Sequence, residues 1–200
     1  MPDAFFAGPL DGHMVAARHG AVGDVPGVFV EQVRPGAMAQ ISGAREGTVL
    51  AAVLGSLGIE GEASALRCSD GDRIQALWNG PGRYLVASWR HAGAALSHEL
   101  NVVFAGTGAV AVDVSHARAV VRLRGSACRD VLAKGCPLDV DRMRPGDCAA
   151  TVVSHFDMLV HCATSDGFEL YVARSFSQAF FEWLLHAGME YGVEVQAATT

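Results

Sequence analysis

Apolar and polar positions recur along this chain with two different periods, and the changes between them mark its elements. A period of two from Glu31 onward predicts strands at 32–41 (broken by Pro35-Gly36), 72–78, 83–87, 109–115, 119–123, 148–154, 158–163, 168–173 and 193–195. A period near 3.6 predicts helices at 47–57, 92–104, 126–134 and from Ser175 to Gly188. In the first of these, Val49, Leu50, Val53, Leu54 and Leu57 form the buried stripe; in the last, Phe180, Phe181, Leu184 and Leu185 do. Punctuation agrees with these spans. Asn79-Gly80-Pro81-Gly82 is hairpin chemistry. Gly43 and Gly125 turn the chain, and Gly135 followed by Pro137 stops a helix. Ser175 with Gln178 three residues on reads as a capping box.

The element order repeats. Gly43 with Val49-Leu50-Ala51 matches Gly125 with Val131-Leu132-Ala133 at the same spacing. The run from Gly82 to Ser88 is echoed by the run from Gly167 to Ser175. Each half therefore reads as β-α-β-β-α-β, the split βαβ arrangement. The expected fold class is α+β: two ferredoxin-like units whose antiparallel or mixed sheets are covered by helices. The expected organisation is an extended N-terminal arm at 1–30, a first unit at 31–115 and a second at 116–200, the two packed as one body. The arm carries Phe5, Phe6, Leu10 and Met14 without periodicity. Paired Phe suits an arm laid across something larger better than a solvated tail.

Composition narrows the function classes. The chain has 200 residues, half of them hydrophobic and 18% charged, which is enough apolar material for a core and argues against disorder. Its net charge of −6, without a basic run, is unsuited to nucleic-acid backbones. The first six residues lack the basic and apolar regions of a secretory signal, and no uncharged run reaches the ~18 residues of a spanning helix. Cys68, Cys128, Cys136, Cys148 and Cys162 are odd in number and contain no C-x-x-C, as expected of reduced, partly buried thiols in a cytoplasmic protein.

Candidate chemistry is sparse. Gly106-Thr107-Gly108-Ala109-Val110-Ala111 fits a loose dinucleotide fingerprint, but Val110, Val112 and Val114 alternate like a strand where a helix is required. His98-Glu99 stands alone. As one strand, residues 155–162 would place His155, Asp157, Leu159 and His161 on one face, with Phe156, Met158, Val160 and Cys162 on the other. Two imidazoles and a carboxylate could do acid-base work, but a turn with solvated polar groups accounts for them better. Asp139 and Asp141 read as a solvated loop edge. No residue is expected to be catalytic, cofactor-binding or metal-ligating. The aromatics Trp78, Tyr84, Trp89, Phe180, Phe181, Trp183 and Tyr191 exceed what two small sheets need, so part of them is expected on a partner surface.

Several runs carry a family resemblance. They are Asp113-Val114-Ser115-His116, Leu123-Arg124-Gly125, Arg129-Asp130-Val131-Leu132-Ala133-Lys134-Gly135-Cys136-Pro137-Leu138-Asp139, Pro145-Gly146 and Phe168-Glu169-Leu170-Tyr171-Val172-Ala173-Arg174-Ser175-Phe176, with Leu77-Trp78-Asn79-Gly80-Pro81 in the first half. Over roughly residues 31–195 the chain resembles the gamma subunit of heterotetrameric sarcosine oxidase. The resemblance implies a shortened relative of the folate-binding aminomethyltransferase of glycine cleavage. It also implies partnership with alpha, beta and delta subunits. That complex would oxidatively demethylate sarcosine to glycine, formaldehyde or methylenetetrahydrofolate, and hydrogen peroxide. FAD, FMN, NAD and tetrahydrofolate would be held by the other subunits, and this chain would be structural. The alternatives are the equivalent subunit of a related N-methyl amino acid dehydrogenase, such as one acting on N-methylglutamate, a stand-alone folate-binding module centred on Asp157, or a homo-oligomeric scaffold without folate. Where the transferase relatives carry a paired acidic motif, this chain has Asp157 followed by Met158, which speaks against independent folate catalysis.

Overall fold

The computed structural model describes residues 8–21, 25–43, 54–59 and 64–198. Its strands are β1 (Ala17–His19), β2 (Val28–Val33), β3 (Ala37–Ser42), β4 (Cys68–Gly71), β5 (Ile74–Trp78), β6 (Arg83–Ser88), β7 (Val110–Asp113), β8 (Arg118–Arg124), β9 (Cys148–Val153), β10 (Phe156–Thr164), β11 (Gly167–Ala173) and β12 (Val193–Val195). The helices are α1 (Ala95–Val103), α2 (Cys128–Ala133) and α3 (Ser177–Gly188). Most of the helix expected at 47–57 lies outside the described residues, as do Phe5 and Phe6; residues 54–56 are helical.

The strands form two sheets. One runs β4-β5-β6-β3-β7 and the other β1-β12-β2-β8-β11-β10-β9. The repeat seen in the sequence is a repeat of topology. In the smaller sheet the chain visits β3, the helical residues 54–56, β5, β6, α1 and β7, and the strands lie in the order β5-β6-β3-β7. In the larger sheet it visits β8, α2, β10, β11, α3 and β12 in the equivalent order, with β2 slipped in between β12 and β8. Each sheet adds an outer strand, β4 and β9, at the same place. The fold is thus α+β and built on two βαββαβ units. β2 pairs parallel to β12 and antiparallel to β8, so a strand that precedes the first unit completes the sheet of the second.

The interruption at Pro35-Gly36 is a change of sheet. Proline has no N–H to donate to a ladder. At Gly36 a side chain would collide with the carbonyl oxygen of His91, while the Gly36 carbonyl accepts from the Gly93 N–H at 3.0 Å. The predicted 32–41 strand is therefore two strands, β2 and β3, in different sheets. The arm lies along the chain's own body. β1 pairs antiparallel with β12, and Leu10 is fully buried in the core beneath the larger sheet.

Three apolar cores stack these layers. Ala119, Val121 and Leu123 of β8 and Phe168, Leu170 and Val172 of β11 face α2 and α3. Ala39 and Ile41 of β3 and Tyr84 and Val86 of β6 pack with Leu96 and Leu100 of α1. The opposite faces meet each other, joining Met38, Leu77 and Leu85 to Val120, Leu159 and Tyr171. The order is helices, sheet, sheet, helices. Every strand that alternates sends one set of side chains to its helices and the other to the facing sheet.

Of the seven aromatics expected in part at a partner surface, three are buried and four are half-buried. Tyr84, Phe180 and Phe181 are buried, Trp78 and Trp89 pack between the sheets, and Trp183 and Tyr191 pack on the core of α2 and α3. Two sheets with three apolar cores need more large side chains than two sheets with one covered face each. The capping box does not form. Arg174–Phe176 is a turn of 3-10 helix that runs into α3, and the Ser177 hydroxyl donates back to the Arg174 carbonyl at 2.8 Å.

Candidate functional site

Strand pairing arranges the inward face of the larger sheet into rows. One row is polar: Glu31 opposite Arg122, Arg122 opposite Glu169, Glu169 opposite His161, and His161 opposite Cys148. The next is mostly apolar: Val33, Val120, Tyr171, Leu159 and Ala150. The third pairs Arg118 with Ala173 and, continuing across, Asp157 with Val152.

The polar row is a buried network. Glu169 and His161 are almost fully buried, and Glu31 nearly so. Arg122 donates to Glu169 Oε1 at 2.7 Å and to Glu31 Oε1 at 3.0 Å. From the facing sheet, Gln75 Nε2 donates to Glu169 Oε2 at 3.0 Å and to the Tyr171 hydroxyl at 2.5 Å. Tyr171 donates in turn to Glu169 Oε2 at 3.0 Å. His161 Nδ1 lies 3.6 Å from the same oxygen. Burial alone would raise the Glu169 carboxyl, but His161, Arg122 and Gln75 outweigh it and hold the group at about 2. Burial, and then the Glu169 charge, push the Tyr171 phenol well above its ordinary range. Each acid is paired and each pair crosses a strand or a sheet. The network therefore locks β2, β8, β11 and β5 in register.

The third row opens into a cleft of about 640 Å³ between the sheets. Arg118, Ala173, Val152 and Asp157 line it from the larger sheet, and Gln40, Asn79 and Arg83 from the smaller. Asn79 Nδ2 donates to Gln40 Oε1 at 3.0 Å, and Gln40 Nε2 donates to the Tyr84 carbonyl at 2.9 Å, which fixes the amide pair. Arg118 NH1 donates to the Tyr171 carbonyl at 3.2 Å, and burial draws its guanidinium below the usual range.

The residues singled out from sequence scatter over this frame. Asp157, Leu159 and His161 share the inward face, but Asp157 enters the cleft, Leu159 the apolar row and His161 the network with Glu169. His155 lies in the turn before β10, its Nδ1 2.9 Å from the Ser154 hydroxyl. Asp139 is solvated and bridged to Arg142 at 3.2 Å. Gly106 and Gly108 have positive φ in a turn that leads into β7, so a strand follows the glycines. Glu99 on α1 meets His91 at 2.9 Å rather than acting with His98. The five thiols are free and buried, and burial pushes Cys128 up to about 11 and Cys148 to about 12. Among the described residues no three His, Cys, Asp or Glu converge as metal ligands, and no helix is long and apolar enough to cross a membrane.

Arg118, Arg83, Gln40 and Asn79 in the cleft, and Glu31, Gln75, Arg122 and Glu169 in the network, are not among the candidates that the sequence singles out. A signal existed for part of this. Arg118, Arg122 and Arg124 sit at alternate positions beside Val120, and Glu169 with Tyr171 alternates against Phe168, Leu170 and Val172. Polar groups on a strand face whose neighbours are buried must find partners across the sheet.

A profile of the sarcosine oxidase, gamma subunit family matches residues 42–190. The chain belongs to this family. A chain of the heterotetrameric sarcosine oxidase from Corynebacterium sp. U-96, in complex with pyrrole 2-carboxylate, superimposes with a TM-score of 0.79 at 22% identity, covering 92% of this chain and 95% of that one. The glycine cleavage system aminomethyltransferase T from Bartonella henselae superimposes with a TM-score of 0.60 at 17% identity, over 86% of this chain and 48% of that one. The gamma-subunit chain thus shares the fold of about half of an aminomethyltransferase. No curated protein matches it. The Asp157-Met158 pair has a structural reason in this gamma-family chain: Asp157 faces the cleft, whereas Met158 is buried against the helices, where a second carboxylate would lack solvent.

Proposed function

We propose that the chain is a non-catalytic structural subunit of a heterotetrameric, flavin-dependent sarcosine oxidase. Its partners are the alpha, beta and delta subunits, which hold FAD, FMN, NAD and tetrahydrofolate, and the assembly works in the cytoplasm. The complex demethylates sarcosine oxidatively to glycine, with formaldehyde or methylenetetrahydrofolate and hydrogen peroxide as the other products. The observation that carries this reading is the gamma-subunit profile over residues 42–190. The shared fold over nearly the full length of a chain from a heterotetrameric sarcosine oxidase supports it. So does the chemistry of the buried groups: the strongest polar cluster is a paired network that joins the sheets.

Co-purification from the native source tests the proposal. The expected result is three further chains and a yellow complex that oxidises sarcosine. A panel of N-methyl amines and electron acceptors on that complex separates an oxidase acting on sarcosine from a dehydrogenase acting on N-methylglutamate. A lone monomer that binds tetrahydrofolate tightly by calorimetry would overturn the assignment in favour of a stand-alone folate module.

A further inference from the structure

The cleft between the sheets has an uneven charge. Arg118 and Arg83 enter it against a single carboxylate, Asp157. Among the described residues no carboxylate lies within ion-pair distance of either guanidinium, whereas Arg122 and Arg124, further along β8, are both paired to Glu31. Arg118 also lines a second cavity of about 180 Å³, where Arg34 is paired to Asp11. A chain of net charge −6 has gathered a local positive field here. Arg118 is half-buried and held by the Tyr171 carbonyl, so its fork is oriented before any guest arrives.

The geometry sets the size and kind of guest. Arg118 and Asp157 belong to one cross-strand row with Ala173 between them, which places their backbones two strand spacings, or about 10 Å, apart. Ala173 leaves a shallow apolar floor, extended by Ala150 and Val152. At about 640 Å³ the space falls within the range of small-molecule sites. The fixed Gln40–Asn79 amide pair supplies neutral hydrogen-bonding groups opposite the floor. Two cations against one anion match a guest with one negative charge, and Asp157 repels a second.

We propose that this cleft binds a small organic monocarboxylate, its head on Arg118 and Arg83 and its apolar body over Ala173, Ala150 and Val152. The site is additional to the subunit role and does not depend on which amine the complex oxidises.

Benzoate is a suitable probe, with benzamide as its neutral counterpart and phthalate as a dianion. Calorimetric titration into the native assembly containing this chain is expected to show one saturable benzoate site per copy. Replacing the chain by Arg118→Gln should remove that site or weaken it about tenfold, with the thermal transition of the assembly unchanged. Benzamide should bind about tenfold more weakly than benzoate. Asp157→Asn changes an exposed residue, and it should tighten benzoate about two- to threefold and phthalate more. No saturable benzoate binding up to roughly 10 mM overturns the proposal. So does a folded Arg118→Gln assembly with undiminished binding, or benzamide binding as well as benzoate. If the Arg118 variant fails to fold, the Asp157→Asn titrations decide: tighter binding with the larger gain for phthalate supports the site, and unchanged binding overturns it.

Discussion

Gly125 and Gly43 occupy equivalent corners, after β8 and β3, and each is glycine for two reasons at once. Gly125 turns with φ +116, and an added side chain would collide with the Gly27 carbonyl oxygen, which accepts from the Ala127 N–H at 3.0 Å. Gly43 has φ +80, and its missing side chain would stand 2.8 Å from the Gly108 carbonyl oxygen. Gly93 has φ +53 but open space around it. Gly125→Ala should therefore cost about 3 kcal/mol, strain plus clash, and Gly93→Ala about 1 kcal/mol, strain alone. Urea midpoints at constant m-value measure both, and equal losses would refute the clash. Glu169 makes a second prediction at this scale. Its folded value of about 2 lies below the ordinary 4.5, so the unfolded chain takes up its proton first as pH falls. The stabilisation is fully present above about pH 5 and drains away between there and pH 2, amounting to about 3 kcal/mol. Urea unfolding from pH 6 to pH 2.5 should show a steeper loss of stability in the native chain than in Glu169→Gln. Parallel slopes would mean that Glu169 titrates alike folded and unfolded.

Among the elements, β7 is the exposed end of its sheet, and it is blunted by a side chain. Asn101 of α1 accepts from the Ala111 N–H at 2.9 Å and donates to the Ala111 carbonyl at 2.7 Å. The Ala109 N–H is taken by the Thr107 hydroxyl at 3.2 Å. One amide thus copies the two bonds a further strand would make, beside the exposed Val110 and Val112. Asn101→Ala should lose about 1–2 kcal/mol and promote self-association through the uncovered edge. Sedimentation velocity over a concentration series would show it, and a variant as monodisperse as the native chain would refute the edge role. Elements of this kind differ in how far a sequence reveals them. β8, β10 and β11 were legible because Val121, Val160 and Leu170 alternate with partners on the opposite face, and α3 because Phe180, Phe181 and Leu184 recur at helical spacing. β4 was not: Cys68-Ser69-Asp70-Gly71 carries no apolar alternation and is a strand only because β5 lies beside it. Gly135 was legible as a helix end but for a different cause. It lacks a positive φ, and a side chain there would meet the Trp183 ring at 2.7 Å.

For the whole molecule, duplication was legible and the meeting of the duplicates was not. Equal spacings after Gly43 and Gly125 disclose two like units. That β2 crosses into the other unit's sheet depends on pairs 87 to 95 residues apart, and that Gln75 reaches Glu169 on a contact between residues 94 apart in the chain. The cleft was hidden for the same reason, since Gln40, Arg83, Arg118 and Asp157 converge only once the sheets face each other. The shared middle core bears on how the chain unfolds. Leu85 of β6 and Leu159 of β10 are both fully buried in it, one from each sheet. If that core couples the sheets, removing atoms on one side must weaken the other. Trp183 packs on α3 over the far face of the larger sheet, and with Trp78 and Trp89 changed to Phe it becomes the sole tryptophan reporter. In that background the Trp183 fluorescence and the far-UV circular dichroism should trace one coincident urea transition. Leu85→Ala, made in the smaller sheet, should lower the Trp183 midpoint by the equivalent of about 2–5 kcal/mol, together with the dichroism. A Trp183 midpoint that stays in place while the dichroism splits into two steps would show that each sheet and its helices fold independently, and that the middle core is a contact between finished units.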